Sequence, residues 1–229
     1  MATIETKLQQ TRARIEAACI AARRPVQSVT LVAVSKTFDA DAVRAAAAAG
    51  QCEFGENYVA EALAKIAAVD ELRPQLHWHL IGPLQSNKTR VVAEAFDWVH
   101  TLDRIKIAQR LSEQRPPDLG PLNVCIQVNI GGESSKSGVA PADVASLAHA
   151  VAALPRLRLR GLMSIPEPGS DTDVQRRPHR ALRQLLQSLV AQGLHLDTLS
   201  MGMSADLEAA ILEGATIVRV GTAIFGTRS

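Results

Sequence analysis

The stretch TLVAVSK, residues 30–36, is a short apolar run, rich in β-branched residues, that ends in a lysine. A run of this kind predicts a buried strand. Helical stretches separate it from seven similar runs, and this alternation is typical of βαβ units in a parallel sheet. The seven further runs are residues 52–54, 77–81, 98–101, 123–130, 157–165, 198–200 and 216–220.

Eight β–α units, with nothing left over for another domain, favour a closed (β/α)₈ TIM barrel over an open doubly wound sheet. We therefore predict an α/β fold, a single TIM barrel over residues 1–229, with an extra N-terminal helix near residues 3–22. Asp39 and Asp103 are expected to cap the helices that follow the first and fourth strands. Ser204 is expected to cap a helix that ends at Gly214, because Ser favours the N-cap and Gly the residue after the helix.

Composition and charge exclude several classes of function. The formal net charge is only +2 and no stretch concentrates Lys and Arg, so neither a nucleic acid nor a membrane surface is an expected partner. There is no apolar run of transmembrane length and no apolar leader after the N-terminus. Three cysteines without CxxC spacing predict reduced thiols, and we expect a cytoplasmic protein.

In barrel enzymes the functional site lies at the carboxyl ends of the strands, which makes Lys36 the first candidate. Its amine would point toward the barrel mouth, where an apolar wall disfavours the charged ammonium. A lysine in that environment forms Schiff bases with aldehydes, and pyridoxal phosphate attaches to proteins in this way. The alternative is an ordinary lysine that extends from a strand end into solvent.

Arg219 is a second candidate, because it interrupts the otherwise apolar strand IVRVG, residues 217–221. A guanidinium inside a barrel strand needs a partner or solvent at the mouth. The ring nitrogen of a bound cofactor and a buried carboxylate are both possible partners at this point.

Two glycine-containing stretches follow the last two strands: SMGMS, residues 200–204, and GTAIFG, residues 221–226. Backbone N–H groups in such loops bind phosphate, and the loops after strands 7 and 8 form the usual phosphate site of this fold. His77 and His79 share one strand face, but no third ligand has matching spacing, so we expect no metal. Lys136 lies in a polar loop and is expected to be solvated.

The chain resembles the pyridoxal phosphate homeostasis proteins. The resemblance rests on blocks that occur in order along nearly the whole chain, and residues 167–184 lie outside it. The blocks are VAVSKT (32–37), FGENYVAEA (54–62), HWHLIGPLQSNK (77–88), VNIGGESSKSG (128–138), LRGLMSIP (159–166), LSMGMSADLEAAI (199–211) and VRVGTAIFG (218–226).

This resemblance implies a barrel like the N-terminal domain of alanine racemase, with pyridoxal 5′-phosphate as the cofactor. It implies that Lys36 carries the cofactor as a Schiff base and that Asn57 lies beside the ring. It also implies that Arg219 faces the pyridine nitrogen, and that Ser200, Gly221 and Thr222 hold the phosphate. The family is thought to buffer and deliver the cofactor, so apo forms of cofactor-dependent enzymes are the expected recipients.

Two arguments favour a carrier over an enzyme, and the first bears on the alternative reading, a pyridoxal-phosphate-dependent amino-acid racemase. Racemisation needs an acid/base on each face of the substrate. Lys36 could serve one face, whereas the second domain that gives racemases a tyrosine base is missing and Tyr58 is the only tyrosine. A permanently charged Arg219 also keeps the ring nitrogen unprotonated, which weakens the ring as an electron sink. Racemases tolerate this arrangement, so the second argument is against broad transaminase-like chemistry. We therefore expect no substrate turnover and a monomer; a barrel that lost its cofactor is a third possibility.

Overall fold

A computed structural model describes residues 2–132, 137–167, 169 and 171–226. Eight parallel strands close into a barrel in sequence order, β1 to β8. The predicted TIM-barrel fold is therefore confirmed. The strands are β1 (Thr30–Val34), β2 (Glu53–Glu56), β3 (His77–Leu80), β4 (Trp98–Leu102), β5 (Leu122–Gln127), β6 (Leu157–Met163), β7 (Thr198–Ser200) and β8 (Ile217–Val220).

Helices surround the barrel, and the expected additional N-terminal helix is present. The helices are α1 (Ile4–Ala21), α2 (Ala40–Ala48), α3 (Val59–Ala68), α4 (Thr89–Ala95), α5 (Ile105–Gln114), α6 (Val144–Ala152), α7 (Thr172–Ala191), α8 (Leu207–Leu212) and α9 (Thr222–Phe225). Within the described ranges, no helix combines the length and the apolar character needed to cross a membrane.

Closure of the barrel places β1 beside β8. Thr30 pairs with Ile217 and Ala33 pairs with Val220, so the residues that follow these two strands emerge next to each other at the carboxyl end. Helix α1 packs against α8 and α9 on the outside of this seam. An ion pair of 2.7 Å between Arg14 and Glu208 ties α1 to α8. The N-terminal helix thus braces the part of the barrel where the predicted phosphate loops begin.

The hydrophobic core lies mainly between the strands and their covering helices. Trp78 and Phe54 are fully buried there, with ring centroids 5.6 Å apart. The cysteines are unpaired: Cys19 and Cys125 are buried, whereas Cys52 is exposed. Burial raises the pKa of the Cys125 thiol to about 12, so this residue behaves as a small apolar side chain.

Two of the three expected helix caps are wrong. The Asp39 carboxylate does accept the backbone N–H of Ala42, as predicted. In contrast, α5 begins at Ile105 after Arg104, so Asp103 does not cap it. Helix α8 begins at Leu207 rather than at Ser204, because the Asp206 carboxylate binds the backbone N–H of Met203 and holds the preceding segment in a turn. Gly214 follows the end of α8 with a φ of +97°, a conformation that favours glycine.

Candidate functional site

Two cavities open at the carboxyl end of the barrel and together contain four of the six predicted site residues. One, of about 450 Å³, is lined by Lys36, Gly221 and Thr222. The other, of about 310 Å³, is lined by Asn57 and Gln127 among others. The expectation that these residues meet at one end of the barrel therefore agrees with their positions. Lys136 lies outside the described residues.

Lys36 sits at the start of a tight turn that leaves β1. Thr37, the next residue, has a φ of +67°, which is unusual for a β-branched residue. Its backbone N–H donates to the Glu61 carboxylate at 2.5 Å, and the N–H of Phe38 donates to the carbonyl of Ser35 at 3.1 Å. Contacts from the main chain and from α3 therefore fix the turn and the place from which the Lys36 side chain starts.

The Lys36 amine has no hydrogen bond or ion pair with any other residue in the described ranges. A second lysine, Lys65, lies under the same turn and is fully engaged. Its ammonium is 2.6 Å from Glu56, 2.7 Å from the Ser35 carbonyl and 3.1 Å from Glu61. Two lysine amines therefore lie near this turn. The amine of Lys65 is held by its three contacts, whereas the amine of Lys36 is free to react with a ligand.

The cluster of Lys65, Glu56 and Glu61 was missed in the sequence. Burial raises the pKa of Glu56, although Lys65 opposes this effect. The signal that could have revealed the cluster is the four-residue spacing of Glu61 and Lys65, which places both on one face of α3.

Arg219 is buried inside the barrel. Its Nη1 donates to the Ser200 hydroxyl at 2.6 Å and its Nη2 donates to the Ser164 carbonyl at 2.9 Å. Burial lowers the pKa of the guanidinium to about 10, so the group keeps its charge near neutral pH. Among the described residues no carboxylate forms an ion pair with it, so a buried carboxylate is not the partner seen here.

The Ser200 side chain contacts Arg219 and does not line the cavity of Gly221 and Thr222. Its side chain is fully buried, and its hydroxyl oxygen lies 2.7 Å from Nδ1 of His100. The predicted role of Ser200 at the phosphate stays a prediction, and its hydroxyl already has two neighbours.

Orphaned polar atoms offer a test of whether a polar ligand fits this end of the barrel. Oδ1 of Asn57 and Oγ of Ser164 are buried and have no hydrogen-bond partner. Buried polar atoms without a protein partner are uncommon, and a water, an ion or a ligand can supply the missing one. A β-carbon on Gly82 would lie 2.2 Å from the Asn57 carbonyl oxygen, so only glycine lets the backbone approach this closely. The residues present therefore fit a polar ligand at the mouth.

His77 and His79 both contact a carboxylate, as residues on one strand face can. His77 Nδ1 lies 2.9 Å from Glu53, and His79 Nε2 lies 2.7 Å from the other oxygen of the same carboxylate. His79 Nδ1 is 2.9 Å from His100. No group of three potential metal ligands occurs within the residues that the structure covers.

Residues 7–229 match the family described as alanine racemase, N-terminal domain. The alanine racemase of Clostridium difficile 630 superposes with a TM-score of 0.71 over 97% of this chain and 57% of the racemase. Its sequence is only 14% identical, so it shares the fold alone. The fold and this match define the class: a barrel of the alanine racemase N-terminal type.

Two relatives are much more similar. The pyridoxal phosphate homeostasis protein of Pseudomonas aeruginosa is 60% identical over 228 residues, which cover 100% of this chain and 97% of the relative. PipY of Synechococcus elongatus PCC7942, in a structure with PLP bound, has a TM-score of 0.85 and 38% identity over 98% of this chain and 100% of PipY. The chain belongs to the pyridoxal phosphate homeostasis proteins, and the family expected from the sequence blocks is confirmed.

Proposed function

We propose that this protein binds pyridoxal 5′-phosphate at the carboxyl end of its barrel and serves in the homeostasis of that cofactor. The single observation that carries the proposal is the free Lys36 amine, which lines a cavity of about 450 Å³. The cofactor found in PipY and the name of the P. aeruginosa relative support the same function.

Lys36 is proposed as the covalent anchor. Pyridoxal phosphate supplies an aldehyde, which reacts reversibly with amines. Its carbon would form a C=N bond with Lys36 Nζ, while the aldehyde oxygen leaves as water. The turn at Thr37 and its bond to Glu61 hold the anchor in place, and the contacts of Lys65 keep the neighbouring amine out of the reaction.

The remaining predicted residues would hold the ring and the phosphate. Asn57 has a buried oxygen without a partner beside Gly82, which supports a place next to the ring. Arg219 is a charged donor with a fixed position, which suits a contact with an unprotonated pyridine nitrogen. Gly221 and Thr222 line the cavity of Lys36 at the start of α9, where the first N–H groups of a helix have no partner inside it. Together with Ser200, they are the proposed phosphate contacts.

The cavities favour a carrier over a racemase. Lys36 is the one titratable side chain among the described residues that line the two cavities. Tyr58, the candidate for a second acid/base, lines neither of them and is 55% exposed. A group that exchanges protons with a substrate has to lie within hydrogen-bond reach of it. We therefore propose a carrier without turnover, which passes the cofactor to apo-enzymes. The proposal further includes a cytoplasmic location and a monomeric state, as expected from the sequence.

The test is incubation with pyridoxal phosphate, followed by an absorbance spectrum, borohydride reduction and peptide mass mapping. We expect a visible absorption band and a reduced adduct on the Lys36 peptide. Lys36→Ala should lose both, whereas Lys106→Ala, which removes an exposed lysine on α5, should keep both. A full-yield adduct in Lys36→Ala would refute the anchor. Racemisation of L-alanine beyond the rate with free cofactor would restore the racemase.

A further inference from the structure

A continuous row of polar side chains crosses the interior of the barrel, where TIM barrels usually pack apolar layers. It starts with Glu53 at the amino end of β2 and reaches Arg219 on β8 through one residue each of β3, β4 and β7. We call these five residues the Glu53–Arg219 network: Glu53, His79, His100, Ser200 and Arg219. The four links measure 2.7 Å, 2.9 Å, 2.7 Å and 2.6 Å in that order.

The chemistry of the two ends fixes the direction of every link. Arg219 can only donate, so the Ser200 oxygen accepts its N–H. The Ser200 hydroxyl hydrogen then has one acceptor within reach in the described part of the chain, Nδ1 of His100. Leaving that buried hydrogen without an acceptor costs about 1–3 kcal/mol, which disfavours the opposite direction.

The same reasoning continues through the two imidazoles. With Nδ1 of His100 as an acceptor, its Nε2 carries the hydrogen and donates to Nδ1 of His79. Nε2 of His79 then donates to the Glu53 carboxylate, which only accepts. Burial, together with the nearby His79 and Arg219, lowers the pKa of His100 well below its usual value, in agreement with a neutral ring.

The Glu53–Arg219 network reaches solvent at Glu53. The Glu53 side chain is 25% exposed and borders a cavity of about 330 Å³ at the amino end of the barrel. Burial alone would raise the pKa of Glu53, but hydrogen bonds from His79 and His77 outweigh this effect and lower it, so the carboxylate stays charged. His77, half exposed, contacts Glu53 from outside the network.

We infer that Glu53, His79 and His100 are positioning residues that orient Arg219 toward the cofactor from the opposite end of the barrel. Each imidazole has one possible tautomer as long as Glu53 accepts, and Ser200 therefore presents its lone pairs to the guanidinium. Loss of the acceptor at Glu53 lets both rings and the hydroxyl reorient, so that a hydrogen on Nδ1 of His100 competes with Arg219 Nη1 for the lone pairs of Ser200. This role of Arg219 rests on the proposed function, whereas the order of the tautomers does not.

The first experiment uses the unmodified protein without cofactor. Long-range ¹H–¹⁵N correlation spectra distinguish the tautomers of histidine, and His79→Gln and His100→Gln provide the assignments. We expect both rings to be neutral with the hydrogen on Nε2 at pH 7. A hydrogen on Nδ1 of either ring, or a doubly protonated ring, overturns the inference whether or not the protein binds pyridoxal phosphate.

The second experiment connects the network to the cofactor. Glu53→Leu removes the acceptor, Glu53→Gln keeps one, and His77→Asn removes only the contact outside the network. We expect Glu53→Leu to mix the tautomers, move the absorption band of the bound cofactor and weaken its binding on the order of tenfold, as coupled networks do. Glu53→Gln should restore the tautomers and the band, and His77→Asn should leave both unchanged.

Three outcomes separate the two ideas. An unmodified protein that shows the expected tautomers but does not bind pyridoxal phosphate contradicts the proposed function and leaves the tautomer order standing. Mixed tautomers in Glu53→Leu with an unchanged band and affinity overturn the positioning role. Equal effects of His77→Asn and Glu53→Leu also overturn it, because the network excludes His77. If Glu53→Leu does not fold, the tautomers of the unmodified protein and the Glu53→Gln spectrum still decide.

Discussion

Replacement of Lys65 by Met removes the only cation that contacts the buried Glu56 within the described residues. The exposed fractions are 4% for the Lys65 side chain and 0% for that of Glu56, so water cannot take over the lost contact. Ser35 would remain as a hydrogen-bond donor at 2.6 Å. Glu61 is 30% exposed and can rehydrate, so the cost falls mainly on Glu56.

The expected loss of unfolding free energy is about 3–5 kcal/mol at neutral pH, the usual cost of leaving one partner of a buried ion pair uncompensated. Its pH dependence follows from the raised pKa of Glu56, which would rise further without Lys65. An unfolded glutamate titrates near pH ~4.3. Below that pH the buried carboxyl is neutral and the full stability is present; stability is then lost as the pH rises through the folded-state pKa.

Urea unfolding followed by circular dichroism at pH 5 and pH 8 measures this prediction. Lys65→Met should lose more stability at pH 8 than at pH 5. The double variant Lys65→Met/Glu56→Gln should recover most of the loss and its pH dependence, because it removes the buried charge. Lys106→Met, a control at an exposed lysine of α5, should change stability by less than about 0.5 kcal/mol. An equal loss at both pH values, or no recovery in the double variant, would refute the reasoning.

Three further predictions concern Arg219, the backbone at Gly82 and the helix cap at Asp39. Arg219→Glu should shift the absorption band of bound pyridoxal phosphate while the phosphate stays bound, because it would put an anion in place of the donor proposed for the ring; an unchanged spectrum would mean that Arg219 does not touch the ring. Gly82→Ala should lower the urea midpoint by the equivalent of about 1–3 kcal/mol and weaken cofactor binding, since the new methyl group meets the Asn57 carbonyl at 2.2 Å; normal binding would show that the backbone moves at no cost. Asp39→Ala should cost about 1 kcal/mol in the same unfolding assay, because the N–H of Ala42 loses its cap, and an unchanged midpoint would argue against that contact.

The fold was predictable because short strand-forming runs alternate regularly with helical stretches, although β2 (EFGE) and β6 (LRLRGLM) contain charged residues. The structure moves the predicted strand ends by only a few residues, as the run at 123–130 and strand β5 (Leu122–Gln127) illustrate. Helix starts were less predictable, since several side chains compete for the same backbone N–H groups. At α8 the carboxylate of Asp206 binds Met203, which moves the start of the helix past Ser204.

The site was predictable only where function and strand ends coincide. Lys36, Gly221 and Thr222 follow β1 and β8 directly, and strand pairing alone brings them together. The contact between Ser200 and His100, which extends from Arg219 across the barrel interior, was not predictable, because their strands β7 and β4 are not neighbours in the barrel. Their contact depends on which side chains cross the barrel, and the alternation of apolar and polar residues along one strand carries no information on that.

The access of water to the proposed cofactor bond differs between a carrier and an enzyme. Release of a cofactor bound through a C=N bond to Lys36 consumes one water molecule, so a carrier needs solvent at that bond. Enzymes, by contrast, commonly close over their substrates and expel water. Here Lys36 is only partly buried, Thr37 and Thr222 are exposed beside it, and the cavity opens at the end of the barrel. In the proposed site, the charge of Arg219 would orient the ring without offering a proton to the reacting carbon. If Lys36 is the anchor and Arg219 the orienting cation, as proposed, a bond that water can reach would suit reversible storage of the cofactor better than turnover of a substrate.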